Sequence, residues 1–350
     1  MLVMTVLDGN GQVFPAALGI AESENTQTWT WFLLLVKTAF NIANGAGVVF
    51  LSDREKGIDV AVKRLFPEAA HAFCVYHIQK NVKVKFQTAL NGLLFTATKA
   101  TCENDFNDVV DKMKALHHRA GHYVSNIKPQ RWARAFFPGR RFGHVISNIS
   151  ESMNWWLQEA MLLEPIWFFS MYIRKLNALF YERRTMYASM NPTGLPPEVS
   201  TKFMKSLNES RTLKVFRSSP SVFEVQSLHE PLSFRVVDFR DMSCSCGGFK
   251  EYGVPCRHMC AALLSTNTNP VRLVIPELRV QALQATYDGV TVPVDLHSLH
   301  DDGLQAPTDT RKRGRPKQKK YPFTSRDKWK TCRYLWDLRE AWTQQKNVPS

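Results

Sequence analysis

The alternation of apolar and polar positions at the N-terminus predicts a β-hairpin. Apolar residues dominate 2–7 and 12–20, and the four residues Asp8-Gly9-Asn10-Gly11 between them have the composition of a tight turn. A helix capped by Thr26 is expected next, because apolar side chains recur at helical spacing. These side chains are Trp29, Phe32, Leu33, Val36 and Phe40.

Two further short apolar runs predict strands separated by a helix. Residues 47–51 are apolar and partly β-branched, and residues 70–76 have a similar composition. Between them, 54–66 has helical periodicity and ends at Pro67, which cannot continue a helix. The order hairpin, helix, strand, helix, strand implies a mixed α/β core.

After this core the pattern becomes helical and then returns to strands. Residues 78 to about 134 and 147–187 have helical periodicity, and the second stretch is rich in aromatic residues. Strands are predicted over 223–225 and 234–239, and 265–325 is expected to consist mainly of loops.

The charge of the chain indicates a polyanionic partner. The chain has 350 residues, enough for roughly two or three domains, and a formal net charge of +14. Such an excess of cations points to nucleic acid. The odd number of cysteines, seven, and the lack of a basic signal segment after Met1 indicate a reducing compartment. The apolar run 29–36 is too short to span a bilayer, so no membrane association is expected.

A dense group of thiols and one imidazole predicts a zinc site. Cys244-Ser-Cys246 is followed after nine residues by Cys256-Arg-His258. Zn²⁺ is satisfied by four such ligands in a tetrahedron, and the intervening loop 247–255 contains three glycines and one proline, which allow it to turn back sharply. The CxC…CxH spacing resembles the SWIM zinc finger, a module of transposase-derived and chromatin-associated proteins.

The alternative is that these four residues are buried or disulfide-bonded without a metal. Dense Cys/His spacing in a reducing compartment favours the metal. Cys260 is the nearest substitute ligand, and we expect it to pack on the helix that follows His258 instead.

Four other segments resemble, in the right order, the Mutator-like (MULE) transposases, which carry a SWIM finger after the catalytic domain. With the finger, the resemblance covers about residues 2–180 and 222–265. The segments are 7–15 with 24–32; 52–58; Phe66-Pro67, Cys74–Ile78 and Lys80-Asn81; and 147–154.

The resemblance implies an RNase H-like fold with a helical insertion and three acidic residues that hold two divalent ions, Mg²⁺ or Mn²⁺. Asp53 matches the second acid and Glu151 the third. Without the family, Ser52 or Asp53 would be interpreted as a helix cap, and Asn148 with Glu151 as a capping box.

Two family features remain open. Cys74 and His77 match a CxxH pair of unknown role, and they can converge only if the chain turns helical near Tyr76. The first catalytic acid of the family lies on a strand before the segment that opens this chain, and Asp8 matches the hairpin turn instead. We therefore expect a truncated or domesticated copy that is inactive alone.

A basic run near the C-terminus predicts contact with DNA. Residues 311–320 hold seven cations, and Arg313-Gly314-Arg315-Pro316 resembles an AT-hook core, which lies in the minor groove of A·T tracts. A nuclear localisation signal or a solvated linker is the alternative. The residues expected to contact DNA are Arg311, Lys312, Arg313, Arg315 and Lys317.

These predictions give an organisation and three hypotheses of function. An N-terminally truncated MULE-like domain over 1–185, with a helical insertion at about 80–145, precedes the other segments. They are a helical linker 186–221, the SWIM finger 222–265, a loop-rich and largely disordered basic tail 266–325, and an amphipathic segment 326–350.

The first hypothesis is a nuclear, DNA-binding, zinc-containing transposase remnant. The second is an active recombinase when the first strand is supplied. The third is a transcription or chromatin regulator whose finger contacts DNA or protein.

Overall fold

The N-terminal hairpin forms as predicted and is fixed by the aspartate in its turn. The computed structural model of the chain describes residues 1–88, 90–146, 153, 156–228, 234–289, 292, 293 and 295. Strands β1 (Leu2–Leu7) and β2 (Val13–Gly19) pair antiparallel. Asp8 Oδ1 accepts hydrogen bonds from the backbone N–H groups of Asn10 (2.9 Å) and Gln12 (2.8 Å). The carboxylate therefore takes the place of a backbone acceptor in the turn.

The first helix, α1 (Thr26–Ala39), begins one residue earlier than its predicted cap implies. Asn25, not Thr26, is the N-cap: its side chain accepts from the Thr28 N–H, and the Thr28 hydroxyl oxygen accepts from the Asn25 N–H. Both residue types cap well, and the reciprocal bond from Thr28 selects Asn25.

The predicted strand–helix–strand unit follows. Strands β3 (Val49–Ser52) and β4 (Ala70–Phe73) are parallel neighbours joined by helix α2 (Lys56–Leu65). They form a sheet separate from the hairpin among the described residues. Both sheets nevertheless contribute to one core with α1 and α2, which contains Leu2, Phe32, Leu33, Val36, Ala61, Val62 and Phe66, with Phe50 packed against it.

Strand β4 ends three residues before the predicted boundary. Helix α3 (Val75–Phe86) already begins at Val75, with Cys74 as its N-cap residue. Val75 donates its N–H to the carbonyl of Val145 at 2.9 Å, which takes the chain out of the strand. A short apolar run such as 70–78 does not separate a strand from a buried helix by its pattern alone.

The helical segment predicted to follow is confirmed. It contains α4 (Asn91–Lys99), α5 (Glu103–Leu116) and α6 (His118–Ser125). Together with α3 these helices enclose the largest buried cluster of the described residues, which includes the fully buried Trp132.

Two helices lead from this segment to the C-terminal part of the first compact unit. Helices α7 (Pro165–Ala188) and α8 (Pro197–Ser210) are separated by the predicted break. No helix among the described residues is both long and apolar enough to cross a membrane. Residues 1–294 form one compact unit and 295–350 another, of which only Asp295 is described.

A four-stranded antiparallel sheet carries the Cys/His group. Its strands in order are β5 (Leu213–Arg217), β6 (Val222–Ser227), β7 (Phe234–Asp238) and β8 (Ser243–Cys244). Helices α9 (Gly248–Tyr252) and α10 (Arg257–Leu264) follow. The inner face of the sheet and α10 bury Phe223, Val225, Val237, Met259 and Ala262. Strand β5 was not predicted.

The prediction that residues 265–325 consist mainly of loops is wrong at one point. Val280–Tyr287 forms helix α11, which buries Val280, Leu283 and Tyr287. The Tyr287 hydroxyl donates to Asp8 Oδ2 at 2.8 Å, and Arg183 of α7 donates both to that hydroxyl (2.6 Å) and to the Val13 carbonyl (2.9 Å). The hairpin turn is thereby bonded to a helix far along the chain.

Candidate functional site

The structure brings the four predicted zinc ligands together. Cys244 ends β8, Cys246 lies in the turn after it, and Cys256 and His258 lie at the N-cap and in the first turn of α10. Their ligand atoms all lie within 4.8 Å of one another. Nδ1 of His258 is 3.7 Å from Sγ of Cys244 and 3.9 Å from Sγ of Cys256.

These separations fit a tetrahedral zinc ion. Zn–S bonds of about 2.3 Å and Zn–N bonds of about 2.0–2.1 Å place tetrahedral S and N ligands roughly 3.5–3.6 Å apart. A side chain on Gly248 would not fit, since its Cβ would lie 2.9 Å from Cβ of Cys256 and 3.3 Å from Sγ of Cys246. Zn²⁺ would offset two of the three thiolate charges and hold the sheet on α10.

The crowding of sulfur atoms also prepares the site electrostatically. Hydrogen bonds from the thiols of Cys244 and Cys256 lower the pKa of the Cys246 thiol, and the N–H of Gly248 contributes at 3.4 Å. The same interactions raise the pKa of Cys244. One thiolate is thus stabilised before a metal binds, and the remaining protons must leave when it does.

Cys260 lies outside this group. Its side chain is fully buried, its Sγ is 3.7 Å from the carbonyl oxygen of Pro255, and burial raises its pKa to about 12. Such a thiol is a packing group, which is the role expected for it.

Asp53 lies directly after β3 and is half-buried. Its Oδ1 accepts from the N–H of Glu55 at 3.1 Å. The N-cap of α2 is Glu55, whose carboxylate accepts from the N–H of Ile58 at 3.0 Å. Neither Ser52 nor Asp53 is therefore the helix cap, and Asp53 instead supports the turn that precedes it.

A partly buried chain of polar side chains, which the sequence did not suggest, lies beside Asp53. The Ser52 hydroxyl donates to the Asp53 carbonyl at 2.8 Å and is 2.8 Å from Nε2 of His71. Nδ1 of His71 lies 3.4 Å from Asp59 Oδ1, and Arg131 donates to that same carboxylate. These contacts connect strands β3 and β4 through Asp59 to Arg131, which follows the helical segment.

The charges in this chain are set by burial and by the cations. Burial first, and then the Arg131 guanidinium, lower the pKa of His71 to about 4 although Asp59 opposes them. Burial alone would raise the pKa of Asp59, but the hydrogen bonds and charges of Lys63 and Arg131 outweigh it and lower that pKa. At neutral pH His71 is therefore neutral and Asp59 ionised.

The other predicted acid and the basic run lie outside the described residues. This holds for Glu151 and for Arg311, Lys312, Arg313, Arg315 and Lys317. Asp8 is described, and its buried carboxylate is fully engaged by the turn and by Tyr287. Among the described residues, the one group of three or more metal-ligating side chains is that of the Cys/His site, and it does not include Asp53.

The condition for Cys74 and His77 to converge is met, because α3 begins between them. Cys74 is fully buried at the N-cap, and His77 lies in the first turn of the helix. Nδ1 of His77 is buried without a hydrogen-bond partner. No third ligating side chain joins the two within the described residues.

Basic residues of the helical segment contact the Cys/His module directly, and sequence analysis missed them. Arg134 donates to the carbonyl of Cys246 at 3.2 Å, and Arg140 donates to that of Lys250 at 3.0 Å. In return, Glu251 accepts from the N–H of Gly143 at 3.0 Å. Since these partners are about 110 residues apart in sequence, no local pattern signals the contact.

Comparison with known families agrees with the two parts of this geometry. Residues 1–81 match the MULE transposase domain, and residues 235–267 match the SWIM zinc finger. The first match covers the hairpin through the start of α3, and the second covers all four ligands. A search of curated proteins finds no match. The chain thus contains a segment that matches the MULE transposase domain and a segment that matches the SWIM zinc finger, and its four Cys/His ligands lie together; these findings support a transposase-derived, zinc-binding protein.

Proposed function

We propose that this protein is a nuclear DNA-binding protein derived from a Mutator-like transposase, with zinc as a structural ion. The observation that carries the proposal is the net charge of +14 on a chain with these two matched domains. The seven cations of residues 311–320 amount to half of that charge. Cations in such excess bind the phosphate backbone and release its counterions, whatever the base sequence.

The measurement that tests this is the salt dependence of binding to duplex DNA. The full chain is expected to bind with weak sequence preference, and deletion of 311–320 should flatten the plot of log affinity against log salt. Each lost phosphate contact contributes about 0.9 to the slope. An unchanged slope would exclude the basic run as a phosphate-binding element, and no binding by the full chain would exclude the proposed function.

The RNase H-like core belongs to this proposal. It is supported by the order of hairpin, α1, β3, α2 and β4 and by the position of Asp53 at the end of β3. In that fold Asp53 and Glu151 would be two of three acids for Mg²⁺ or Mn²⁺. The alternative, an active recombinase, requires that another segment supply the third acid. This alternative would be favoured if the chain nicked DNA once a strand that carries an aspartate was added to it.

A regulator that binds protein through its finger is the second candidate, and one surface favours it. Phe216, Phe234 and Val236 lie on the outer face of the finger sheet and are 40%, 52% and 45% exposed. Exposed aromatic side chains on one face are typical of protein contact sites. Alanine substitutions at Phe216 and Phe234 that abolish a protein partner but leave DNA affinity intact would favour this function.

A further inference from the structure

A polar cleft lies between the helical segment and the zinc module. It has a volume of about 170 Å³, several times the ~30 Å³ that a water molecule occupies in the liquid. The side chains and backbone that line it include Thr101, Arg134, Ser245, Gly247, Lys250 and Glu251. We infer that this cleft binds a phosphate group of the nucleic-acid backbone, which deepens the proposed DNA binding and rests on it.

The position of Arg134 is the first argument. One of its terminal nitrogens donates to the Cys246 carbonyl at 3.2 Å, and its guanidinium lies 5.7 Å from the centre of the Tyr252 ring. These contacts hold the group at the cleft wall, while its Nε is buried without a hydrogen-bond partner. A buried, charged N–H group that lacks an acceptor destabilises the fold unless a ligand or a water molecule accepts its hydrogen bond.

The local charge balance is the second argument. Two cations line the cleft, Arg134 and Lys250. Two more lie near its lining residues: Arg140 donates to the Lys250 carbonyl, and the charge of Arg141 acts on Arg134 and Glu251. Among the described residues none of them has a carboxylate within 4.0 Å, and Glu251 is the one acid that lines the cleft. Glu251 is itself buried and accepts from Gly143. The excess of positive charge in a partly enclosed space favours an oxyanion.

Burial increases this effect at Arg141. The residue is 4% exposed, and two of its nitrogens, Nε and Nη2, lack hydrogen-bond partners. Its third nitrogen donates to the Trp132 carbonyl at 2.8 Å. Arg141 does not line the cleft itself, but its buried charge acts on Arg134 and Glu251, which do.

The backbone of the zinc module also suits a close approach by phosphate. Gly247 has φ of +65°, and a Cβ there would approach a terminal nitrogen of Arg134 to 3.5 Å. That distance is an ordinary van der Waals contact, so it is the left-handed φ that favours glycine at this position. Since Cys244 and Cys246 flank Ser245, the metal site fixes one wall of the cleft. One lining cation, Lys250, comes from the zinc module and the other, Arg134, from the end of the helical segment.

The test uses the full chain and two substitutions of cleft cations. Lys250→Gln removes an exposed cation that lines the cleft and whose side chain makes no hydrogen bond or ion pair within the described residues. Arg134→Gln removes the fixed guanidinium, and its zinc content shows whether the module is still folded. Lys112→Gln is the control, because Lys112 is equally exposed and does not line the cleft.

We expect each cleft variant to lower the slope of log affinity against log salt by about 0.9 between about 50 and 200 mM salt, and the double variant to lose roughly tenfold in affinity. Lys112→Gln should do neither. If wild type binds DNA and the cleft variants behave like Lys112→Gln, the inference is overturned while the proposed function stands.

A second measurement separates the cleft from DNA binding as such. Inorganic phosphate and pyrophosphate are titrated against the isotope-labelled chain, and the amide signals of Ser245 and Gly247 are followed by NMR. Shifts in wild type that vanish in Lys250→Gln are expected. No shift overturns the inference, even if the chain binds DNA elsewhere. Shifts by the free anions without any effect of the variants on DNA would overturn the assignment to nucleic acid and leave a site for free phosphate.

Discussion

His71 should make the stability of this fold depend on pH. Its pKa is about 4 in the folded chain, against an ordinary value of 6.5. Between these values the unfolded chain holds the proton and the folded chain does not. The free energy of unfolding therefore falls as the pH drops from about 6.5 towards 4, and the contribution is complete above 6.5.

The size of the effect follows from the two pKa values. At pH 5, about 97% of the unfolded chains but only about 9% of the folded chains would carry the proton, which corresponds to a loss of about 2 kcal/mol relative to pH 8. Below pH 4 the loss levels off near ~3 kcal/mol. The neighbours of His71 explain why its pKa is lowered. The Ser52 hydroxyl can bond to the neutral imidazole, and the positive charge of Arg131 disfavours a positive charge on His71.

The assay is urea unfolding of wild type and His71→Gln at pH 8 and pH 5. Other groups that titrate between these pH values are common to both proteins and cancel in the comparison. Wild type should lose about 2 kcal/mol more than the variant between the two pH values. Equal losses, or an NMR titration that places the His71 pKa near 6.5, would refute the reasoning.

Two further predictions concern the metals. The full chain is expected to bind one zinc ion per molecule, and its affinity for zinc should fall at acid pH because the thiols must ionise. Metal analysis should find the ion lost in Cys256→Ser. The ion should be retained in Cys102→Ser, which alters a cysteine outside the site. The 350-residue chain is expected not to cleave DNA with Mg²⁺ or Mn²⁺, because two ions about 3.5–4 Å apart need more carboxylates than Asp53 and Glu151 supply; metal-dependent cleavage that Asp53→Ala abolishes would contradict this.

Features of the fold that depend on residues close together in sequence, such as turns and the zinc-ligand loop, could be predicted from the sequence. The turn after β1 forms as expected, because Asp8 bonds the backbone two and four residues on. The zinc ligands converge because their short loop allows it. The cap of α1 was misplaced by one residue, since Asn25 and Thr26 are both good capping residues and the reciprocal bond to Thr28 decides between them.

Contacts between distant segments could not be predicted in this way. The Ser52–His71 bond spans 19 residues and the Arg134–Cys246 bond spans 112. Helix α11 was missed because its eight residues follow two prolines, at 270 and 276, and are too few to show a clear period. Its helical form is stabilised by packing on α7, which the sequence does not display.

The hydrogen bond between Tyr287 and Asp8 has a consequence for how the chain folds during synthesis. The two residues are 279 positions apart, so at about 5–20 residues per second the ribosome needs roughly 14–56 s to deliver the partner of Asp8 after the hairpin has emerged. Throughout that interval the buried carboxylate and the apolar face around Phe14 lack the helix that covers them in the finished fold. The hairpin is therefore completed only after α11 has been made, and a fragment of residues 1–81 would remain in this uncovered state.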